Sequence, residues 1–341
     1  MSNPRSCPDC NSSRFELDRR QFVRATAVGA VAASTGIFIR PISAEEPAAK
    51  KPETLVAQLY KSLNEQQRAA VCFGFDHPLR QEVDNNWHIT KTRVADFTAD
   101  QQDLIREIFN GLHDPEYAQQ VMQQVEHDNG RRPDVPKSGF GSCAIAMFGE
   151  PGTGKFEFVF TGRHVTRRCD GDSIEGAAFG GPIFYGHAAK SFNEPADHAG
   201  NIYWYQAKRA NELFQALDGK QRDVALRTDA RDEAGTKTVK LSGKSSELAG
   251  LAVSDMTADQ RELMEKVMHD VLAPFRSGDR EESMKLIKAN GFENLHLSFY
   301  KNMDVGDDKV WDVWQVEGPA MVWYFRGDPH VHTWVHIRES A

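Results

Sequence analysis

The chain has 341 residues, 40% hydrophobic and 26% charged, an ordinary globular composition that excludes a collagen-like repeat, a disordered tail and a polytopic membrane protein. With 41 Lys and Arg against 49 Asp and Glu the formal net charge is −8, so no basic surplus exists to neutralise a phosphate backbone, and nucleic acid is not an expected partner. Five cysteines, widely spread, cannot build a disulfide framework.

Residues 1–44 read as a targeting segment. Arg19 and Arg20 precede the uncharged stretch 25–39 of small and apolar residues, and Pro41-Ile42-Ser43-Ala44 is a small-x-small site of the kind signal peptidase cuts. Paired arginines before a mildly apolar core are the twin-arginine export pattern. A membrane-spanning helix would need about 20 apolar residues, more than 25–39 supplies. The expectation is an exported protein, periplasmic or extracellular, that partners the twin-arginine machinery and keeps no stable membrane span after cleavage at Ala44. That route carries proteins already folded, often around a cofactor. Cys7-Pro8-Asp9-Cys10 is half a zinc site at best, since four ligands are needed. Cys143, within an apolar strand-like run, reads as a buried inert thiol.

Residues 45–53 are rich in Pro, Ala, Lys and Glu and read as a tether. Helical spacing then begins with Leu55, Leu59 and Leu63, and again at Val71 after Gln66-Gln67-Arg68. A second helix is expected after the capping residue Thr98, with Leu104, Ile105, Ile108 and Leu112 on its apolar face, and a third over 115–125. Strand-like runs follow at 143–148 and 155–163. The Gly149-Glu150-Pro151-Gly152-Thr153-Gly154-Lys155 stretch between them matches a phosphate-cradling loop in its spacing. Position 156 is Phe, so the magnesium-binding hydroxyl is missing, and a strand pattern follows where a helix N-terminus is required. A hairpin turn is expected there.

Residues 162–205 show little helical or strand periodicity and are dense in Gly, His, carboxylates and aromatics. Long irregular segments inside a domain are usually functional or disordered, and aromatic content this high argues against disorder. They contain Arg163, His164, Glu175, Phe184, Tyr185, His187, His198 and Trp204, the candidates for a site built on a loop. Cys169 beside Arg167 and Arg168 offers a weaker alternative, a thiolate with depressed pKa.

The order of features then repeats. Leu213, Phe214, Leu217 and Lys220-Gln221-Arg222 echo Leu59, Tyr60, Leu63 and Gln66-Gln67-Arg68, and Thr257-Ala258-Asp259-Gln260 echoes Thr98-Ala99-Asp100-Gln101. Strand-like runs at 295–302, 309–317, 320–325 and 330–337 close the chain. An internal duplication is expected, with halves near 54–205 and 206–341, in an α+β fold of helices and antiparallel hairpins. On the last strand, His330, His332, Trp334 and His336 share one face. His330 and His332 can present ring nitrogens to one metal, whereas His336 lies about 13 Å further along.

The glycine-flanked turn Gly162-Arg163-His164, the loop from Gly181 to Gly186, the Leu217-x-x-x-Gln221-Arg222 helix, Gly318-Pro319 and the closing His330-x-His332 resemble, in that order, the exported bacterial family of domain of unknown function 3500. In that family Gly-His-His is usual where this chain has Gly162-Arg163-His164, and Arg is frequent where it has His336. The resemblance therefore implies architecture and the candidates His164, His330 and His332, but no reaction.

Three functional readings stay open. One is a metal-dependent enzyme, hydrolytic or redox, with His164, His330 and His332 around a divalent transition metal (zinc, copper or iron) and Glu175 or His187 as general base. Another is a non-catalytic protein that binds a small molecule in a groove lined by Arg163, Phe184, Tyr185, His198, Trp204, Trp334 and His336, with Phe179 and Tyr203 beside them. The third is a scaffold with neither.

Overall fold

Apolar residues at helical spacing over Leu55 and Leu59 form α1 (Pro52–Ser62), which starts inside the stretch expected to be a tether. The computed structural model describes residues 51–187, 202–301, 311–327 and 330–341. Arg19, Arg20, the site at Ala44, Cys7, Cys10, residues 45–50 of the tether, and His198 lie outside them.

The first half continues with α2 (Glu65–Val71) and β1 (Cys72–Phe73). It then builds α3 (Ala99–Gly111) and α4 (Pro115–Asp128). The Thr98 hydroxyl and the Gln101 side chain satisfy each other's backbone N–H groups at the start of α3, the capping box read from the sequence. Strands β2 (Ala144–Gly149) and β3 (Phe156–Gly162) are joined by the Gly/Pro stretch, where Glu150 N donates to Lys155 O at 3.0 Å. A hairpin turn, not a phosphate loop, stands there.

The stretch expected to be irregular contains two strands, β4 (Val165–Cys169) and β5 (Ile183–His187), every residue of which is buried. Alternation was absent because neither face meets water.

The second half repeats the order: α5 (Trp204–Ala216), α6 (Gly219–Ala225) and β6 (Leu226–Arg227), an extra short β7 (Leu251–Ala252), then α7 (Ala258–Leu272) and α8 (Ser277–Ala289). Four strands follow: β8 (His296–Tyr300), β9 (Val313–Gly318), β10 (Met321–Arg326) and β11 (Val331–Ile337). Helix α8 has no clean apolar stripe, and it buries Asp279 and Ser283 beside Leu286 and Ile287.

One mixed, mostly antiparallel sheet holds all these strands in the order β1-β2-β3-β4-β5-β11-β10-β9-β8-β6, with β7 on β8. The class is α+β, as expected. Each half starts from a short parallel strand at an outer edge and the two meet at the antiparallel pair β5–β11. The same side-chain device ties the helices of each half. Gln67 Nε2 donates to Gln101 Oε1 at 2.8 Å, and Gln221 Nε2 donates to Gln260 Oε1 at 2.9 Å. Gln101 and Gln260 in turn donate to Ser62 O and Ala216 O.

Helices cover one face of the sheet. Leu55, Ile105 and Val121 pack on Met147, Phe158 and Phe160, and Met264, Val267 and Leu213 pack on Val335, Trp323 and Phe325. The other face carries Phe148 and Val159 under Ile89 and Trp87, and Phe184, Tyr324 and Trp334 under Val83 and Val239. Two irregular excursions, around 74–98 and 228–250, supply that cover. The sheet is thus a buried middle layer, and polar groups within it need partners from the chain.

Candidate metal centre

Gly162 pairs with Val165, so Arg163 and His164 form a two-residue turn between β3 and β4. His164 holds a φ of 58°, a left-handed backbone that costs a non-glycine residue roughly 1–2 kcal/mol. Strain of this kind persists where surrounding structure over-determines it, often at functional sites. Asn129, just past α4, clamps the turn: Arg163 N donates to its Oδ1 at 2.9 Å and its Nδ2 donates to Arg163 O at 3.2 Å.

Gly186 lies between two of the histidines. It pairs with His332 on one side of β5. On the other side its N–H donates to His164 O at 3.1 Å. Residues two strands apart are separated by roughly 9.6 Å, yet the rings of His164 and His332 close to 5.1 Å between centroids. A Cβ at 186 would collide with the Val331 carbonyl and stand 3.4 Å from the His164 ring. His330, two residues before His332, completes the group, its ring 4.8 Å from His164 and 4.7 Å from His332.

One ring nitrogen from each of His164, His330 and His332 lies within 4.8 Å of the others, a group that could hold a metal ion. His164 Nε2 and His330 Nε2 are 3.1 Å apart. Two nitrogens on one tetrahedral zinc sit roughly 3.4 Å apart, given Zn–N bonds of about 2.1 Å.

Two of the rings are backed by carboxylates. His164 Nδ1 donates to Asp128 Oδ2 at 2.8 Å, and His332 Nδ1 donates to Glu233 Oε2 at 2.6 Å. A carboxylate behind an imidazole fixes its tautomer and leaves the Nε2 lone pair as the one a metal would take, though on His332 that lone pair faces the Asn85 amide. Arg326 Nη2 stands 2.7 Å from the same Nδ1, and its Nε is 3.1 Å from Glu233 Oε1. Two donors cannot share one proton position, so the carboxylate takes the imidazole N–H and Arg326 balances the carboxylate. On the far side of His332, Asn85 Nδ2 is 3.2 Å from Nε2, and the buried Asn85 Oδ1 has no hydrogen-bond partner.

Burial pushes His332 down to about 2, helped by Arg326 and His164, and pushes His330 down to about 3, helped by His332 and His164. Both rings are neutral across the physiological range, the form that ligates metals. Burial alone would raise the Asp128 carboxyl, but hydrogen bonds from His127 and His164 outweigh it and hold it far below the usual range. Burial raises Glu233, with Arg326 opposing.

The remaining candidates are dispersed. His187 ends β5, buried, with Nδ1 3.8 Å from Asp128 Oδ1. Arg163 is exposed beside the triad. Glu175, expected near the histidines as a base, is exposed next to Gly176, whose carbonyl accepts from Glu339 beyond the far end of β11. Six residues of strand, roughly 20 Å, separate that end from His332. Phe184, Tyr185 and Trp334, expected to line a groove, are at most 1% exposed, and Phe179 and Tyr203 are also buried. They fill the cores on the two faces of the sheet. Trp204 opens α5, half-buried against the helix-side core. Cys169 is no thiolate: burial first, then Glu53, pushes its thiol well up. Cys143 is buried and its thiol is likewise pushed up by burial, as the sequence indicated.

Asp128, Glu233, Asn85 and Arg326 went unnoticed in the sequence. Asp128 carried a faint signal as the end of an amphipathic helix; the others sit in irregular stretches or at a strand end, without periodicity.

A profile of the family described as a protein of unknown function, DUF3500, matches residues 45–339. The chain belongs to that family. The match takes in all three histidines and both carboxylates behind them. No curated protein and no solved structure matches this DUF3500 chain.

His336 stands apart from the centre of this DUF3500 protein, its Nδ1 donating to Val239 O at 3.1 Å. Burial is the main cause that lowers it to about 4. A histidine depressed by folding contributes stability in full above its unfolded pKa of about 6.5. That contribution is lost as pH falls from there to about 4, at about 1.4 kcal/mol per pH unit. Denaturant unfolding from pH 7 to 4.5 should therefore show His336→Gln losing stability less steeply than wild type by about that slope. Parallel pH profiles would refute the assignment.

Proposed function

We propose that the protein is a metal-dependent enzyme, hydrolytic or redox, whose ion is held by His164, His330 and His332 where the two halves meet at β5 and β11. The convergence of three ring nitrogens within 4.8 Å supports this most directly. A strand face that merely met water would not bury neutral histidines against dedicated carboxylates and strain a turn to do so. His164, His330 and His332 would hold the ion with a position left free, and the ion would supply there a water of lowered pKa or a site for a redox substrate. Imidazole donors suit zinc, copper and iron alike. Element analysis of protein recovered from its natural compartment should find about one ion per chain, lost in a folded His332→Ala variant. Less than ~0.2 ion per chain would sink the proposal, because a resident ion should fill most of the sites in protein taken from its natural compartment.

The proposal includes export, supported by Arg19-Arg20, the apolar stretch 25–39 and the site at Ala44. Replacing Arg19 and Arg20 by lysine should retain the precursor in the cytoplasm; unimpeded export of that variant overturns the route. It also includes an origin of the two halves by duplication, supported by the repeated element order and the paired glutamine devices. Aligning the two halves within many family members should give scores above shuffled sequences, and scores no better than shuffled would dismiss it.

A further inference from the structure

We infer that the substrate of this centre presents an oxyanion, a carboxylate or phosphate group, and that Arg163 binds it beside the metal. The inference rests on the metal reading and names the ligand class for the same site.

Arg163 shares its two-residue turn with the ligand His164. Asn129 holds the backbone of Arg163 from both sides, so the root of the side chain is fixed while the side chain itself is exposed. Among the described residues its guanidinium has no ion pair and no hydrogen bond. The other arginine at the site, Arg326, is engaged by Glu233. His330 is the half-buried member of the triad and His164 and His332 are buried, so among the described residues His330 is the ring nearest solvent.

Charge balance points the same way. Asp128 and Glu233 are two negative groups, Arg326 and Arg163 two positive ones, and the three histidines are ligands in their neutral form. A divalent ion added to that set is uncompensated. Both carboxylates lie behind imidazole rings and are held there, so neither can reach the open position. A planar guanidinium next to a metal is suited to a bidentate oxyanion, one oxygen edge on the fork and another oxygen toward the ion.

Cobalt(II) loaded into the purified protein provides a visible spectrum that reports a change at the open position. Titration with acetate and with inorganic phosphate should shift the wild-type spectrum saturably, and the tighter of the two identifies the headgroup. Arg163→Gln should weaken that binding about tenfold or more, the scale of a charge-assisted hydrogen-bonded pair, and Arg163→Lys should restore part of it. No spectral response to either anion, or an affinity that Arg163→Gln leaves within twofold, overturns the inference while the metal reading stands. Failure of cobalt to bind at all overturns both.

Discussion

Zinc or cobalt should bind the folded protein at one ion per chain, and His164→Ala or His332→Ala should abolish binding. Graded losses should follow behind the ligands. Asp128→Asn and Glu233→Gln keep shape but remove the charge that orients His164 and His332, and each should weaken metal affinity about 10–100-fold. Asp128→Asn tests more than the His164 contact, because the same carboxylate accepts from Gln124 Nε2 at 2.7 Å and lies beside His127 and His187. Binding also links to stability. A hundredfold excess of metal over Kd stabilises the folded state by about 2.7 kcal/mol, several degrees in melting temperature for a chain of this size. His336→Ala, four residues along the same strand, is the control, since its ring bonds Val239 and takes no part in the triad. Isothermal titration and thermal melts measure both quantities. If His336→Ala and His332→Ala lose metal equally, the site is misassigned; if neither loses any, the three rings are a structural cluster.

The histidines themselves were legible because a strand forces residues i and i+2 onto one face, which puts His330 beside His332 whatever the surroundings. The capping boxes at Thr98 and Thr257 were legible because they are local, four residues from Thr to Gln. The carboxylates were not, because their partners are remote: Asp128 lies 36 residues from His164 and Glu233 lies 99 from His332. Asn85 is 247 residues from the ring it touches. Strand β4 was hidden for a related reason. Its Val165-Thr166-Arg167-Arg168-Cys169 sequence has two adjacent cations and no alternation, so it reads as part of an irregular segment. The fold buries them on opposite faces, Arg167 donating to His113 Nε2 and Phe184 O on the helix side, Arg168 to groups on the other. The aromatics misled in the opposite direction. Phe184, Tyr185 and Trp334 beside histidines look like a binding groove when read along the chain. A sheet covered on both faces turns the same residues into core.

Arg168→Ala should destabilise the protein by about 3–5 kcal/mol, the range for breaking a buried ion pair. The Arg168 and Glu157 side chains are both fully buried and meet at 2.5 Å. Burial raises the Glu157 carboxyl while Arg168 and Arg80 pull it back, so removing Arg168 leaves a buried acid with Arg80 alone. Arg168 also donates to Pro182 O, Arg80 O and Glu82 O, at 2.5–2.6 Å. One guanidinium thus ties the start of β5, which leads to Gly186, to the excursion that carries Asn85 over His332. Its loss should loosen the metal centre as well as the fold, lowering metal affinity though every ligand remains. Replacing both partners at once, Arg168→Met with Glu157→Leu, separates the two contributions. An ion pair exchanged whole for apolar side chains is often close to neutral, so the double variant should be more stable than Arg168→Ala. It should still fall short of wild type, because the three carbonyls lose their donor and each buried orphan costs roughly 1–3 kcal/mol. Denaturant unfolding of the three proteins decides it. Full recovery in the double variant would mean that the ion pair alone holds this corner, and the carbonyls, with the path they provide from the sheet to Asn85, do not matter.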